Sequence, residues 1–430
     1  MKPLHTRLTI ALCSAILSLT LIPAITYSQT NKTDLLNTQQ AEQWRHDIDV
    51  MKRKLEQRHI HLYHHINADL FNKELIRIKQ QLPTLTETGL SVELMRLIKQ
   101  VGDGHTQFAY WGGEHHRYPL ELRVFGNELR VIGIEQQHED VLGATLTAIE
   151  DTPIAQLLPL INPILQGVEN IYSQRQRLVE TINVAEVIHG LKISKSLEQT
   201  RFTFKLADGK SVNIKLDSLT SAQFHNHVMA SLKLDKPTGF TKHKLSTKNI
   251  DVFLSKYDPV VYLDFHHYPI LSEISDFSEG LIKLLREKKT RNVIIDLRNN
   301  GGGDFFIGLH LAWALIMVDN LNWRDGIYVL IGRKTFSAAM SNAAQYRQLL
   351  NATLVGEPTG ANPVGYQDAD TFSLPNSGWK VMYSKRLYRF QDKPGTSVEP
   401  DINIPMDWNN YKSGGDNQLN WILNNIKQSL

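Results

Sequence analysis

The C-terminal half of the sequence predicts an α/β layer on a largely parallel sheet. Two observations carry that expectation. First, short apolar runs at 260–265, 293–297 and 327–331 alternate with helical patterns at 274–285, 306–317 and 338–350, and another strand begins at Leu354 and Val355. Strand and helix in alternation is the pattern of parallel strands joined by crossover helices. Second, the apolar run Val293-Ile294-Ile295 passes through polar residues into Gly301-Gly302-Gly303. A buried strand opening into a glycine loop brings backbone N–H groups close to whatever sits above it.

Taken in chain order, the first segment reads as targeting. Lys2, His5 and Arg7 precede an apolar run over 8–25, and Thr26-Tyr27-Ser28 offers small residues for cleavage after Ser28. The expectation is a removed signal peptide over 1–28, no stable membrane anchor afterwards, and a periplasmic or secreted protein. Residues 29–105 read as a helical lobe. Trp44, Ile48, Met51 and Leu55 recur on one helical face, Leu70, Leu75, Ile78 and Leu82 repeat the spacing, and Pro83 stops it. A third helix starts near Ser91 and ends near Gly102.

Residues 106–220 change period. Leu120, Leu122 and Val124 alternate as a half-buried strand, and a second alternation from Leu129 breaks at Gly133, which fits either a bulge or a strand buried on both sides. A strand, a turn and a helix from Pro153 follow, then a helix over 179–191. Asp208-Gly209 then joins strands at 202–206 and 212–216 into a hairpin. The region resembles the later part of a PDZ module, a PDZ-like α+β region. Residues 221–250 are polar and lysine-rich and read as a linker to a catalytic domain over 251–430.

Cys13 is the only cysteine, so a chain cleaved after Ser28 has neither disulfide nor cysteine-bound metal. The formal charge of +3 on 430 residues gives no reason to invoke nucleic acid. Oligomeric state is not legible.

Three segments carry chemistry. Ser337 lies in Thr335-Phe336-Ser337-Ala338-Ala339-Met340, at the start of a helix after a strand. Its Oγ is then exposed and the following amides are free to hold negative charge. The structural alternative is a plain N-cap serine. Ser341 sits one turn deeper, where a helical hydroxyl bonds to its own backbone. His105 lies in the polar turn Val101-Gly102-Asp103-Gly104-His105-Thr106 and suits a general base. The glycine loop supplies backbone donors. The denser cluster His59, His61, His64 and His65 places two imidazoles on one helix face without a third ligand type, so no metal and no cofactor is expected. The pairs His115–His116 and His266–His267 read the same way.

In order along the chain, VGDGHT, DLRNNGGG, TFSAAM, LVGEPTGANPVGYQD, FSLPNSGWKV and VEPDI resemble the tail-specific, or carboxyl-terminal-processing, serine proteases in their tricorn-core-like branch. The resemblance implies a ββα fold of the ClpP/crotonase type. It implies a serine endopeptidase acting on peptides or exported proteins, with Ser337 as nucleophile and His105 as base. It implies an oxyanion hole from Gly301, Gly302 and Ala338, and a third, acidic residue near VEPDI. Glu399 and Asp392 are the candidates, with Asp103 or Glu357 behind them. Two departures stand out. The lysine of the serine–lysine branch is absent from Gly360-Ala361-Asn362-Pro363, which leaves only Lys380 or Lys385 for that role. Gly104 stands where the tricorn-like pattern has a serine. The rival functions are a catalytically silent protein using the same cleft for an apolar ligand or peptide, and a scaffold acting through the PDZ-like region.

Overall fold

A computed structural model describes residues 35–236, 238–392 and 395–429. The signal segment with its cleavage after Ser28, and Cys13, lie outside the described residues. No helix among the described residues is long and apolar enough to cross a membrane.

Three helices open the described chain, Thr38–Arg58, Ala68–Gln81 and Glu87–Lys99. Each begins on a side-chain cap, from Asn37, Asn67 and Thr86, which satisfies amides that the helix leaves free. Trp44, Ile48, Met51 and Leu55 are buried as their spacing requires. In the second helix Leu70 is exposed and Phe71 takes the inner position, since Phe71, Leu75, Ile78 and Leu82 make the tighter apolar face.

The middle region is an antiparallel sheet. Strand Leu120–Phe125 pairs with Glu128–Glu135, and the register jumps so that Ile132 is the extra residue of a bulge. Thr145–Ile149, Gln199–Lys205 and Ser211–Asp217 complete it. The helix expected over 179–191 is two, Ile171–Thr181 and Ala185–Gly190. Asn183 breaks it, because its carbonyl accepts the Tyr118 N–H and its side-chain amide donates to the Leu120 carbonyl. The expected linker is also structured. Met229–Ser231 adds to the antiparallel sheet and Phe240–Lys242 to the catalytic one, so backbone pairing rather than side-chain period organises it.

The second sheet is α/β, as expected. Val260–Phe265, Asn292–Asp296, Ile327–Ile331, Thr353–Gly356 and Ile402–Asn403 pair in parallel, with Ile250–Ser255 antiparallel at one side. Helices Leu271–Glu287, Phe305–Ile316 and Ala338–Leu350 cover one face, and Asn417–Ser429 the other. A long hairpin, Val364–Ser373 with Lys380–Arg389, leaves this sheet and enters the core of the helical lobe. Trp379 stacks on Phe108 at 4.7 Å and meets Trp44 edge-on at 6.4 Å. Asp47 accepts the Asn376 and Ser377 amides at 3.0 and 2.8 Å. The hairpin therefore ties the histidine turn to the serine domain.

Candidate active site

Ser337 follows strand Ile327–Ile331 and a short loop, and begins helix Ala338–Leu350. Its backbone sits at φ 51°, ψ −127°, and its side chain makes no capping hydrogen bond. A serine whose only task is capping would have extended backbone and a bonded oxygen. A non-glycine residue in such a region costs on the order of 1–3 kcal/mol and persists where its surroundings hold it. Here Thr335 Oγ1 donates to the Leu297 carbonyl at 2.8 Å, and the Phe336 N–H donates to the Asn300 carbonyl at 3.2 Å. Gly302 presses from above, at φ +111°, where an added Cβ would lie 2.6 Å from Ser337 Cβ. Ser341 donates to the Ser337 carbonyl at 3.3 Å, a helical back-bond.

One expected oxyanion donor is used elsewhere. The Gly302 N–H donates to Asn300 Oδ1 at 2.9 Å, so Gly302 serves close approach rather than anion binding. The N–H groups of Gly301 and Ala338 have no partner among the described residues, and Gly301 lines the same cavity as Ser337.

His105 is buried and also lines that cavity, of about 410 Å³. Asp103 Oδ1 accepts its backbone N–H at 3.0 Å, and its ring stacks on Phe336, the neighbour of Ser337, at 5.2 Å. Nδ1 lies 3.1 Å from Glu169 Oε1. With a carboxylate there, Nδ1 carries the proton and Nε2 holds a free lone pair. Nε2 is buried and without a hydrogen-bond partner, so Ser337 Oγ is not bonded to it in this resting geometry.

Glu169 is the acid that the sequence left unidentified. Its second oxygen accepts the Asn362 N–H at 2.6 Å, which fixes the carboxylate between histidine turn and catalytic domain. Gly104 makes room for it: an added Cβ would meet Glu169 Oε1 at 2.5 Å and Phe336 Cζ at 2.8 Å. The glycine before the histidine was the one available signal. Sixty-four residues separate the pair, so no local spacing marks it.

The expected acids lie elsewhere. Glu399 is exposed and takes the Ser397 hydroxyl at 2.5 Å, while Arg347 holds its carbonyl and pairs with Asp401. Asp392 is exposed. Glu357 pairs with Arg333 at 2.6 Å. Lys380 is exposed, and Lys385 lies 3.6 Å from Asp368. With Glu169 on the histidine, Glu169→Gln should lower kcat/KM by on the order of 10²–10⁴-fold with an unchanged melting temperature, because the amide favours the tautomer with Nε2 protonated. Glu399→Gln and Asp392→Asn should keep full rate.

Residues 316–404 match the model of peptidase family S41, a span that includes Ser337. Over this span the chain is similar to a family of serine-type peptidases. The fold agrees. Mature CPAF in complex with lactacystin superposes with a TM-score of 0.64 at 13% identity, covering 90% of this chain and 98% of that one. Mature CPAF alone gives 0.62 at 12% identity, over 87% and 95%. No curated protein matches the chain.

The histidine cluster has a defined arrangement. His59 Nε2 lies 3.0 Å from Asp103 Oδ2, and His59 Nδ1 accepts the His61 N–H at 2.9 Å. The Nε2 proton therefore points at Asp103, which also accepts the Ser384 hydroxyl at 2.7 Å. Burial works to raise the Asp103 carboxyl, but the hydrogen bonds from His59 and Ser384 outweigh it and hold the group below the usual range. His59, His64 and Asp103 are grouped closely enough for a cation. Yet a metal on His59 Nε2 would displace its proton while Nδ1 is already an acceptor. The expected result is that EDTA leaves peptidase activity unchanged; loss restored by zinc would overturn this.

Lys99 Nζ sits near Glu169 and lies 3.4 Å from the Val168 carbonyl. Burial pushes its amine down to about 8, against the opposing pull of Glu169. The unfolded chain then binds more protons between about pH 8 and about pH 10.4, so this group's penalty is full below that window and fades as pH rises. Lys99→Met should raise the melting temperature at pH 7, and the gain should shrink at pH 10.

Proposed function

We propose that this chain is an exported serine endopeptidase of the S41 type that cleaves peptides or proteins through an acyl-enzyme on Ser337, with His105 as base and Glu169 as its orienting acid. The observation that carries the reading is the buried, unpartnered His105 Nε2 in the cavity that Ser337 lines, with Nδ1 held by Glu169. Rotation of the uncapped Ser337 hydroxyl toward that lone pair starts the reaction. Nε2 takes the Oγ proton as Oγ bonds to the scissile carbonyl carbon. The carbonyl oxygen takes the negative charge, facing the Gly301 and Ala338 amides. The C–N bond then breaks, and the imidazolium returns its proton to the leaving amine. Water repeats the sequence on the ester and frees Ser337. Glu169 stabilises the imidazolium in both halves.

Export to the periplasm rests on the basic start, the apolar run and the small residues before Ser28. A fluorophosphonate probe should label the mature chain, with the adduct on Ser337 by mass spectrometry and labelling suppressed in His105→Ala. A folded chain that takes no label would instead favour the catalytically silent binding protein.

A further inference from the structure

A second cavity, of about 510 Å³, lies between the antiparallel sheet and the loop that leads to Ser337. Tyr110 and Glu180 line both this cavity and the one holding Ser337 and His105, so the two adjoin. Its walls are cationic. Several cations are already neutralised: Arg298 by Asp296 and Asp416 at 2.6 and 2.7 Å, and Arg333 by Glu357 at 2.6 Å. Glu180 is taken by Arg177 at 2.6 Å. Arg123, Arg175 and Lys334 also line the cavity and have no carboxylate partner among the described residues. Arg117 is bonded to a neutral group, the Tyr110 hydroxyl, at 2.8 Å. Glu121 is the one lining acid without such a partner.

Arg123 is the telling residue. It lies over the rings of Phe125 and Tyr411, at 5.9 and 5.3 Å from their centroids. Burial pushes its guanidinium down from the ordinary value, against the opposing pull of Tyr411 and Glu357. A sheltered cation among other cations is unfavourable until an anion enters, and attraction in such a confined site is stronger than in open water. Surface lysines on a solvated face would carry no such argument. This surplus instead faces a cavity that shares Tyr110 and Glu180 with the nucleophile's own.

We infer that this cavity is a specificity subsite for acidic side chains of the peptide substrate, read by Arg123, Arg175 and Lys334. The inference rests on the Ser337 cleft being where the peptide lies. A peptide seated there extends past Tyr110 and Glu180 and presents Asp or Glu side chains to the three cations. Arg175 and Lys334 meet the anion from the accessible side, and Arg123 from the sheltered side.

The test uses two C-terminally amidated peptides that differ only in Glu against Gln at several positions on either side of one scissile bond. Their binding to the full-length Ser337→Ala protein is read by fluorescence anisotropy, which needs no turnover. The Glu peptide should bind about tenfold tighter or more, with an advantage that shrinks as salt rises. Arg175→Gln and Lys334→Gln should each reduce the ratio, and Arg175→Glu should shift preference toward a Lys-containing peptide. Arg123→Gln should erase most of it; the other variants keep the test decisive if that buried change prevents folding. With the wild type at Ser337, the preference should appear in KM rather than kcat. Equal binding of the two peptides overturns the subsite. So does tight binding that requires a free carboxyl terminus and ignores the side chains. Selective binding with no hydrolysis by the wild type supports the subsite and instead rejects the endopeptidase reading.

Discussion

Ser337→Ala should abolish turnover of casein or a tail peptide while leaving the fold intact. The loss expected for a missing nucleophile in a serine–histidine pair is on the order of 10⁶-fold. The structure explains why stability should hardly change. Ser337 makes no capping bond, so removing its hydroxyl breaks no helix contact. Alanine retains the Cβ that packs under Gly302. The positive φ strains alanine no more than serine, so the melting temperature should correspond to a change within about 0.5 kcal/mol. Equal turnover by wild type and variant would reject Ser337 as nucleophile.

His105→Ala should cost roughly 10²–10⁴-fold in kcat/KM or more, through loss of the base. It should also remove the acid limb of the rate profile, where protonation takes the Nε2 lone pair. The ring packs on Phe336 and bonds to Glu169, so some stability is lost too. The pH profile separates the two effects, because a purely structural role leaves the acid limb in place. Lys380→Ala and Lys385→Ala serve as the comparison. Lys380 points to solvent and Lys385 is engaged near Asp368, so both should retain rate. Loss in either lysine variant, with His105→Ala nearly active, would indicate dyad chemistry.

Much of this site was written in short windows of sequence. The strand at 293–297 and the glycine loop after it are local: consecutive apolar residues make the strand, and glycine alone tolerates the φ of +111° at Gly302. Ser337 and His105 were legible because small residues and glycines flank them. The hydrophobic faces of the first helix and of the sheet strands follow from period, and period is a local property. Other errors in the elements have causes that period does not register. Asn183 broke an apparently continuous helix with its own hydrogen bonds, and Leu70 yielded its inner place to Phe71.

The carboxylate that holds His105 needed the tertiary structure. Glu169 belongs to the region read as PDZ-like, and it reaches His105 only because the hairpin 364–389 docks in the helical lobe and Gly104 leaves the space. Glu399 and Asp392 were sensible by proximity to VEPDI, but both side chains are exposed to solvent, and Arg347 binds the Glu399 carbonyl. By itself, then, the sequence determined the α/β layer, the strand-to-helix turn at Ser337, the polar turn at His105 and the family resemblance. Only the folded chain decided which carboxylate faces the histidine, that Gly302 presses on the serine instead of donating to an anion, and that Arg123 and Arg175, without a carboxylate partner among the described residues, line a cavity beside the cleft. The reason is physical: backbone conformation and amphipathic period depend on neighbours in sequence, whereas a hydrogen bond between residues 105 and 169 depends on how segments far apart in the chain pack.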